Sequence, residues 1–190
     1  MKTTLFTLFL IAAFLVGCTD TPISPLDSQA NPEGQLDKLV KLPPKSGLST
    51  ETVFSKTELI DGEQGGEIKT KEYYWTNDGT KVKIDARLTI PKGAFTGSVN
   101  ITMKIDDVFA AASFEPAMSF DQPLQFDLTI NGLDLSQISL GGAAYNFVYV
   151  ADDGRIEDVV NDGVTLDSFL KGLTVDKAQL NHFSRYAFSR

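Results

Sequence analysis

Lys81-Val82-Lys83-Ile84-Asp85-Ala86-Arg87-Leu88-Thr89-Ile90 alternates polar with apolar side chains without a break and stops at Pro91. Successive side chains of a strand point to opposite faces, so Val82, Ile84, Ala86, Leu88 and Ile90 share one buried face and the lysines, Asp85, Arg87 and Thr89 stay wet. A helix would scatter the same residues around its circumference. Pro91 has no N–H for a ladder and ends the strand. The same period continues downstream, in Ile101, Met103 and Ile105 between Asn100, Thr102 and Lys104, and in Leu124, Phe126, Leu128 and Ile130 between Gln125, Asp127 and Thr129. Outward from these, strands are expected at residues 53–60, 67–75, 144–150, 156–160, 173–180 and 185–188. Helix signals are weak, the best being Leu166 to Lys171, closed by Gly172. About nine short strands, each giving one face to a core, predict an all-β fold, two antiparallel sheets packed as a β-sandwich.

The turns agree with that class. Asn77-Asp78-Gly79, Asp152-Asp153-Gly154 and Asn161-Asp162-Gly163 place residues that tolerate positive φ between or beside strands, and predict hairpins. A calcium site would need several oxygens converging on one point, and none of these has the Asp-x-Asp-x-Asp-Gly spacing that supplies them. Asp106-Asp107 is read in the same way, as an exposed strand end.

Upstream of the first strand the composition changes. Lys2 precedes an uncharged apolar run from Leu5 to Val16, the layout of a secretory signal and too short to span a bilayer securely. Leu15-Val16-Gly17-Cys18 resembles the lipobox of bacterial lipoproteins. The resemblance implies cleavage before Cys18, a diacylglyceryl thioether on its sulfur and an acylated amino group, hence a membrane partner through a lipid anchor. Thr19 stands where enteric bacteria place an inner-membrane retention aspartate, which points to the outer membrane. From Thr19 to Ser49 the chain carries Pro22, Pro25, Pro32, Pro43 and Pro44 among small polar residues and reads as a disordered tether. About thirty such residues span roughly 30 Å on average. Within it, Leu36 to Val40 either docks on the domain or pairs as an edge strand. The expected organisation is a signal peptide over 1–17, a lipidated tether over 18–50 and one sandwich domain over 51–190.

Composition excludes several classes. Cys18 is the lone cysteine, so once it is acylated the chain has no disulfide, cysteine nucleophile or thiolate ligand. Formal charge is −8, and loss of residues 1–17 removes Lys2 alone, leaving 16 basic against 25 acidic residues and −9. Nucleic acid and anionic headgroups are poor partners for such a chain. A single histidine offers no metal set, and no cofactor is expected.

Gly65-Gly66, Ala86 to Phe95 with its Ile-Pro-Lys-Gly-Ala-Phe ending, Ile101-Thr102, Phe114-Glu115-Pro116 and Phe120-Asp121-Gln122-Pro123 together resemble the ZU-five domain. That family is named for zonula occludens proteins and Unc-five receptors and includes ankyrins, death-domain adaptors and bacterial envelope proteins. The resemblance covers roughly Val53 to Phe188 and implies a β-sandwich. Physically, Pro91 stops the ladder and Gly93 turns the chain, so that Ala94 and Phe95 plug an end of the sandwich.

In adaptors of that family a His-Phe-Ser near the domain's end cleaves itself, and this chain has His182-Phe183-Ser184. The resemblance implies attack by the Ser184 hydroxyl on the Phe183 carbonyl, with His182 taking the proton. Strain in the Phe183-Ser184 peptide would have to supply much of the remaining rate. The structural alternative makes His182 and Ser184 part of a turn and packs Phe183 inside, and it is the stronger reading. No turnover enzyme is expected. Ser184 is too close in sequence to His182 for a triad across space, no Gly-x-Ser-x-Gly elbow exists, and no motif selects a carboxylate pair.

Tyr73-Tyr74-Trp75 beside the Asn77 turn is the pointer to a ligand. Tyr73 and Trp75 share one face of their strand and Tyr74 takes the other. An exposed pair would stack on a sugar or a protein partner. The expectation is an envelope lipoprotein with a structural or protein-interaction sandwich, possible self-cleavage included, and the alternative is a surface-anchored carbohydrate-binding module.

Overall fold

The computed structural model describes residues 36–47, 54–134 and 144–190. Eleven strands follow in chain order: β1 (Phe54–Asp61), β2 (Gly66–Trp75), β3 (Lys81–Ile90), β4 (Ser98–Ile105), β5 (Ala111–Glu115), β6 (Ser119–Asn131), β7 (Asn146–Val150), β8 (Ile156–Asp158), β9 (Gly163–Asp167), β10 (Gly172–His182) and β11 (Arg185–Ser189). A six-stranded sheet has the order β1-β4-β5-β11-β7-β8 and a five-stranded sheet the order β2-β3-β6-β10-β9. Every pairing is antiparallel. The molecule is the expected all-β sandwich.

The period of two decides the packing. On β3, Val82, Ile84, Ala86, Leu88 and Ile90 are all buried, and Ile84, Ala86 and Leu88 sit in register with Ile130, Leu128 and Phe126 of β6. Ile101, Met103 and Ile105 of β4 join the same core from the other sheet. Each such side chain contributes roughly 1.5–3 kcal/mol of transfer free energy, which makes this shared face the main source of stability. At one end of the sandwich, which we call the upper end, Pro91 closes β3 and Ala94 and Phe95 are buried as plugs. Gly62 permits that plug, since a Cβ there would stand 2.2 Å from the Phe95 carbonyl oxygen.

Four features depart from the sequence reading. Residues 36–47, placed within the tether, form a strap across the lower end: Leu36 to Val40 docks, one of the two outcomes left open for it, and residues 41–47, expected to be free, continue the contact. Leu39, Val40 and Leu42 are buried, the Val40 N–H donates to the Phe188 carbonyl at 2.9 Å and the Leu42 N–H to Val108 at 2.8 Å. Leu36 and Leu39 cover Ala111, Val148, Val150 and Ala187 on the outer side of the six-stranded sheet. At its other end the Ser46 N–H reaches the Trp75 carbonyl at 2.8 Å. The strap docks because that patch of sheet is apolar on both faces and needs a cover.

Leu166 to Lys171 is no helix: β9 runs to Asp167, and the carboxylate of Asp167 accepts the N–H groups of Phe169 and Leu170, both at 2.9 Å, to make a turn. Strand β5 lies where no strand was expected, and with β9 it accounts for eleven strands against about nine. Of the three Asp-Gly turns, residues 77–79 and 152–154 close the β2–β3 and β7–β8 hairpins as expected. Asn161-Asp162-Gly163 instead lies where the chain crosses from one sheet to the other.

Candidate functional site

The outer face of the five-stranded sheet carries the aromatic pair. Alternation along β2 turns Glu67, Lys69, Lys71, Tyr73 and Trp75 outward and sends Ile68 and Tyr74 into the core. Tyr73 is 58% and Trp75 52% exposed, on an edge strand of the sheet. The Tyr74 hydroxyl, on the opposite side, donates to the Pro43 carbonyl of the strap at 2.7 Å, and burial pushes its pKa up to about 12. Strand, strap and aromatic pair are therefore fixed to one another.

Beside the pair, the antiparallel register lays down rows of polar groups. Tyr73 stands next to Lys83 and then Asn131, and Lys71 next to Asp85 and then Thr129. These residues line an open groove of about 410 Å³. The Lys71 ammonium pairs with Asp85 at 2.5 Å, and the Lys81 ammonium lies 3.8 Å above the Tyr73 ring and 5.6 Å from that of Trp75. An apolar ring face next to amide, hydroxyl, carboxylate and ammonium groups can stack on the C–H face of a pyranose and hydrogen-bond its hydroxyls.

His182, Phe183 and Ser184 occupy the upper end, where the chain leaves β10 in one sheet and enters β11 in the other. Phe183 is buried, stacked on Phe114 at 5.4 Å and edge-on to Phe120 at 4.7 Å between centroids. The His182 ring meets the edge of Tyr149 at 4.8 Å, and the buried Tyr186 hydroxyl donates to the His182 carbonyl at 2.6 Å. Burial pushes the Tyr186 phenol well above its ordinary range. The Phe183 N–H donates to Met118 at 2.8 Å and the Ser184 carbonyl accepts from Phe114 at 3.0 Å. Among the described non-glycine residues the left-handed backbone conformations are at Lys171 and Lys177, neither of them in this tripeptide. The arrangement resembles the tyrosine corners of other sandwiches, in which a phenol ties a sheet-to-sheet crossing to upstream backbone.

The expected turn roles are visible in the hydrogen bonds. Asp78 accepts from the Thr76 hydroxyl and from the Thr80 N–H at 3.2 Å, and the Thr76 bond holds its carboxyl below the usual range. Asp106 follows the end of β4 as expected but is not exposed: its side chain is 20% accessible and its carboxylate pairs with Arg185 at 2.5 Å, across 79 positions. Sequence reasoning also missed a cleft of about 710 Å³ at the lower end, lined by strap residues, Asp78, Leu133, Lys171 and Arg190. Five distant segments build it, and no local pattern announces it. Cys18 and the lipobox lie outside the described residues.

No family model matches the chain, and neither a curated protein nor a solved structure matches it at a significant level. The fold and its face define an antiparallel β-sandwich with an exposed aromatic pair on a polar sheet.

Proposed function

We propose that the protein is an envelope lipoprotein, held to the outer membrane by acyl chains on Cys18, whose sandwich binds a glycan and does not turn it over. The observation that carries the binding site is the Tyr73–Trp75 pair, more than half exposed on an otherwise polar sheet face beside the 410 Å³ groove. Large aromatic side chains are costly to leave in water, and a flat face that presents two of them suits a ligand with its own flat apolar side. The absence of turnover rests on the sequence, in which no motif selects the pair of carboxylates that glycoside hydrolysis needs. The anchor is supported by the Leu15-Val16-Gly17-Cys18 sequence.

A protein partner is the second reading, favoured by β1. This strand is one of the two edges of the six-stranded sheet and exposes Leu59 at 66%. A glycan array probed with the wild type and with Trp75→Ala separates the two. The glycan reading expects binding to at least one envelope glycan and a loss of about tenfold or more in Trp75→Ala, or about 1.4 kcal/mol. Binding indifferent to Trp75, or none at all, contradicts it. The anchor has its own test: Cys18→Ser should move the protein from the membrane fraction to the soluble one with its circular dichroism unchanged.

A further inference from the structure

Exposed apolar side chains are unevenly distributed over the surface. Seven large ones stand out among the described residues, and four of them, Trp75, Val108, Phe169 and Leu170, belong to the lower end. Phe169 is the extreme case at 93% exposure, at the tip of the turn between β9 and β10. The turn is not loose. The Asp167 carboxylate holds the Phe169 and Leu170 N–H groups, Lys171 adopts φ 50°, and the Leu170 and Lys171 carbonyls accept from Gly132 at 3.1 Å and Leu133 at 2.8 Å. A braced turn that points an aromatic and a leucine into solvent has been built to present them.

The path of the chain indicates what they meet. Residues 19–35 separate Cys18 from Leu36, so 17 residues lead from the anchor to the strap and span at most about 60 Å. That path joins the sandwich at the lower end, where Asp37 lines the same cleft as Lys171 and Arg190, and the Lys38 carbonyl accepts from the Arg190 N–H at 3.0 Å. The end that receives the anchor is thus the end that carries Phe169 and Leu170.

We propose that the β9–β10 turn inserts Phe169 and Leu170 into the lipid interface of the bilayer that holds Cys18, docking the sandwich with its lower end down. The inference rests on the lipid anchor. Two side chains bind membranes weakly from free solution, but tethering raises their effective concentration at the surface and makes a shallow, reversible contact sufficient. Insertion is apolar in origin, as suits a chain that carries 16 basic against 25 acidic residues, formal charge −9, once residues 1–17 are removed. It also brings the Trp75 face close to the bilayer, where membrane-proximal glycans lie.

The test uses the lipidated protein reconstituted in phosphatidylcholine–phosphatidylethanolamine vesicles containing nitroxide-labelled lipid. Acylation blocks the native cysteine, so Ser168→Cys beside the tip and Thr96→Cys at the upper end each give a unique thiol for an environment-sensitive fluorophore. The expected result is at least about twofold stronger nitroxide quenching at 168 than at 96, abolished by adding Phe169→Ser and Leu170→Ser. Equal quenching at the two positions with Cys18 acylated overturns the insertion alone. An unacylated Cys18, read by mass before reconstitution, overturns the anchor and the insertion with it. Shielding of position 168 in whole cells but not in vesicles that hold no other protein overturns the proposal in favour of a protein partner.

Discussion

The hydroxyl of Tyr186 donates to the His182 carbonyl at 2.6 Å while its ring lies in the core, so one residue ties the last strand to the turn that precedes it. The bond gives His182-Phe183-Ser184 a structural task. Phe183 fills the upper end, and the backbone on either side is paired. On this account the purified protein keeps its full intact mass through prolonged incubation at neutral pH, and Ser184→Ala looks the same. Appearance of a fragment lacking residues 184–190 would instead establish self-cleavage at Phe183-Ser184. Tyr186→Phe should lower stability by about 1–2 kcal/mol in urea unfolding, because the His182 carbonyl loses its partner. Tyr74 gives a pH signature. Its folded pKa is raised by burial from 10.0 to about 12, so between those values the unfolded chain releases the proton first and stability falls as pH rises. Tyr74→Phe should be less sensitive across that window, measured as the urea midpoint against pH.

At the level of elements, the strap is the feature with the largest energetic consequence. Leu42 is 7% exposed and packs in the main core, whereas Leu59 of β1 is 66% exposed. Leu42→Ala should cost about 2–4 kcal/mol and Leu59→Ala about 0.5 kcal/mol or less, a contrast that a free tether over residues 36–47 would not produce. Docking of Leu36 to Val40 was one of two outcomes left open from the sequence, and neither that choice nor the extension of the strap to residue 47 could be read there, for a physical reason. Leu36, Leu39, Val40 and Leu42 have no regular period, and their partners, Phe188 and Ala187 among them, lie far along the chain. Strand β3 was legible because one of its faces is core and the other water. Strand β5 was not, because Ala110, Ala111 and Ala112 are all fully buried, between neighbouring strands and under the strap, so no alternation survives. The helix signal at residues 166–171 failed through Asp167, whose carboxylate captures the next N–H groups for a turn before a helix can. The aromatic pair was half legible. Alternation put Tyr73 and Trp75 together, and Lys69 and Lys71 share their parity, which marks that face as wet. Glu72 shares the parity of Tyr74 and blurs the signal; it is partly buried and accepts from the Thr70 hydroxyl at 3.0 Å.

For the whole molecule, the two ends have different work. The upper end is sealed by Phe95, Phe120 and Phe183 and by the Tyr186 bond, and it holds the fold shut. The lower end gathers the strap, the cleft, the Phe169 turn and the approach to Trp75. Both the proposed lipid contact and the proposed glycan face lie on that side. Trp75 is the chain's single tryptophan, so selectively excited tryptophan emission reports on the proposed binding face. Titration of the purified protein with envelope oligosaccharides should give a saturable shift in that emission for at least one of them, weakened about tenfold in Tyr73→Ala. Emission that stays constant across the envelope glycans at millimolar concentration would contradict the account.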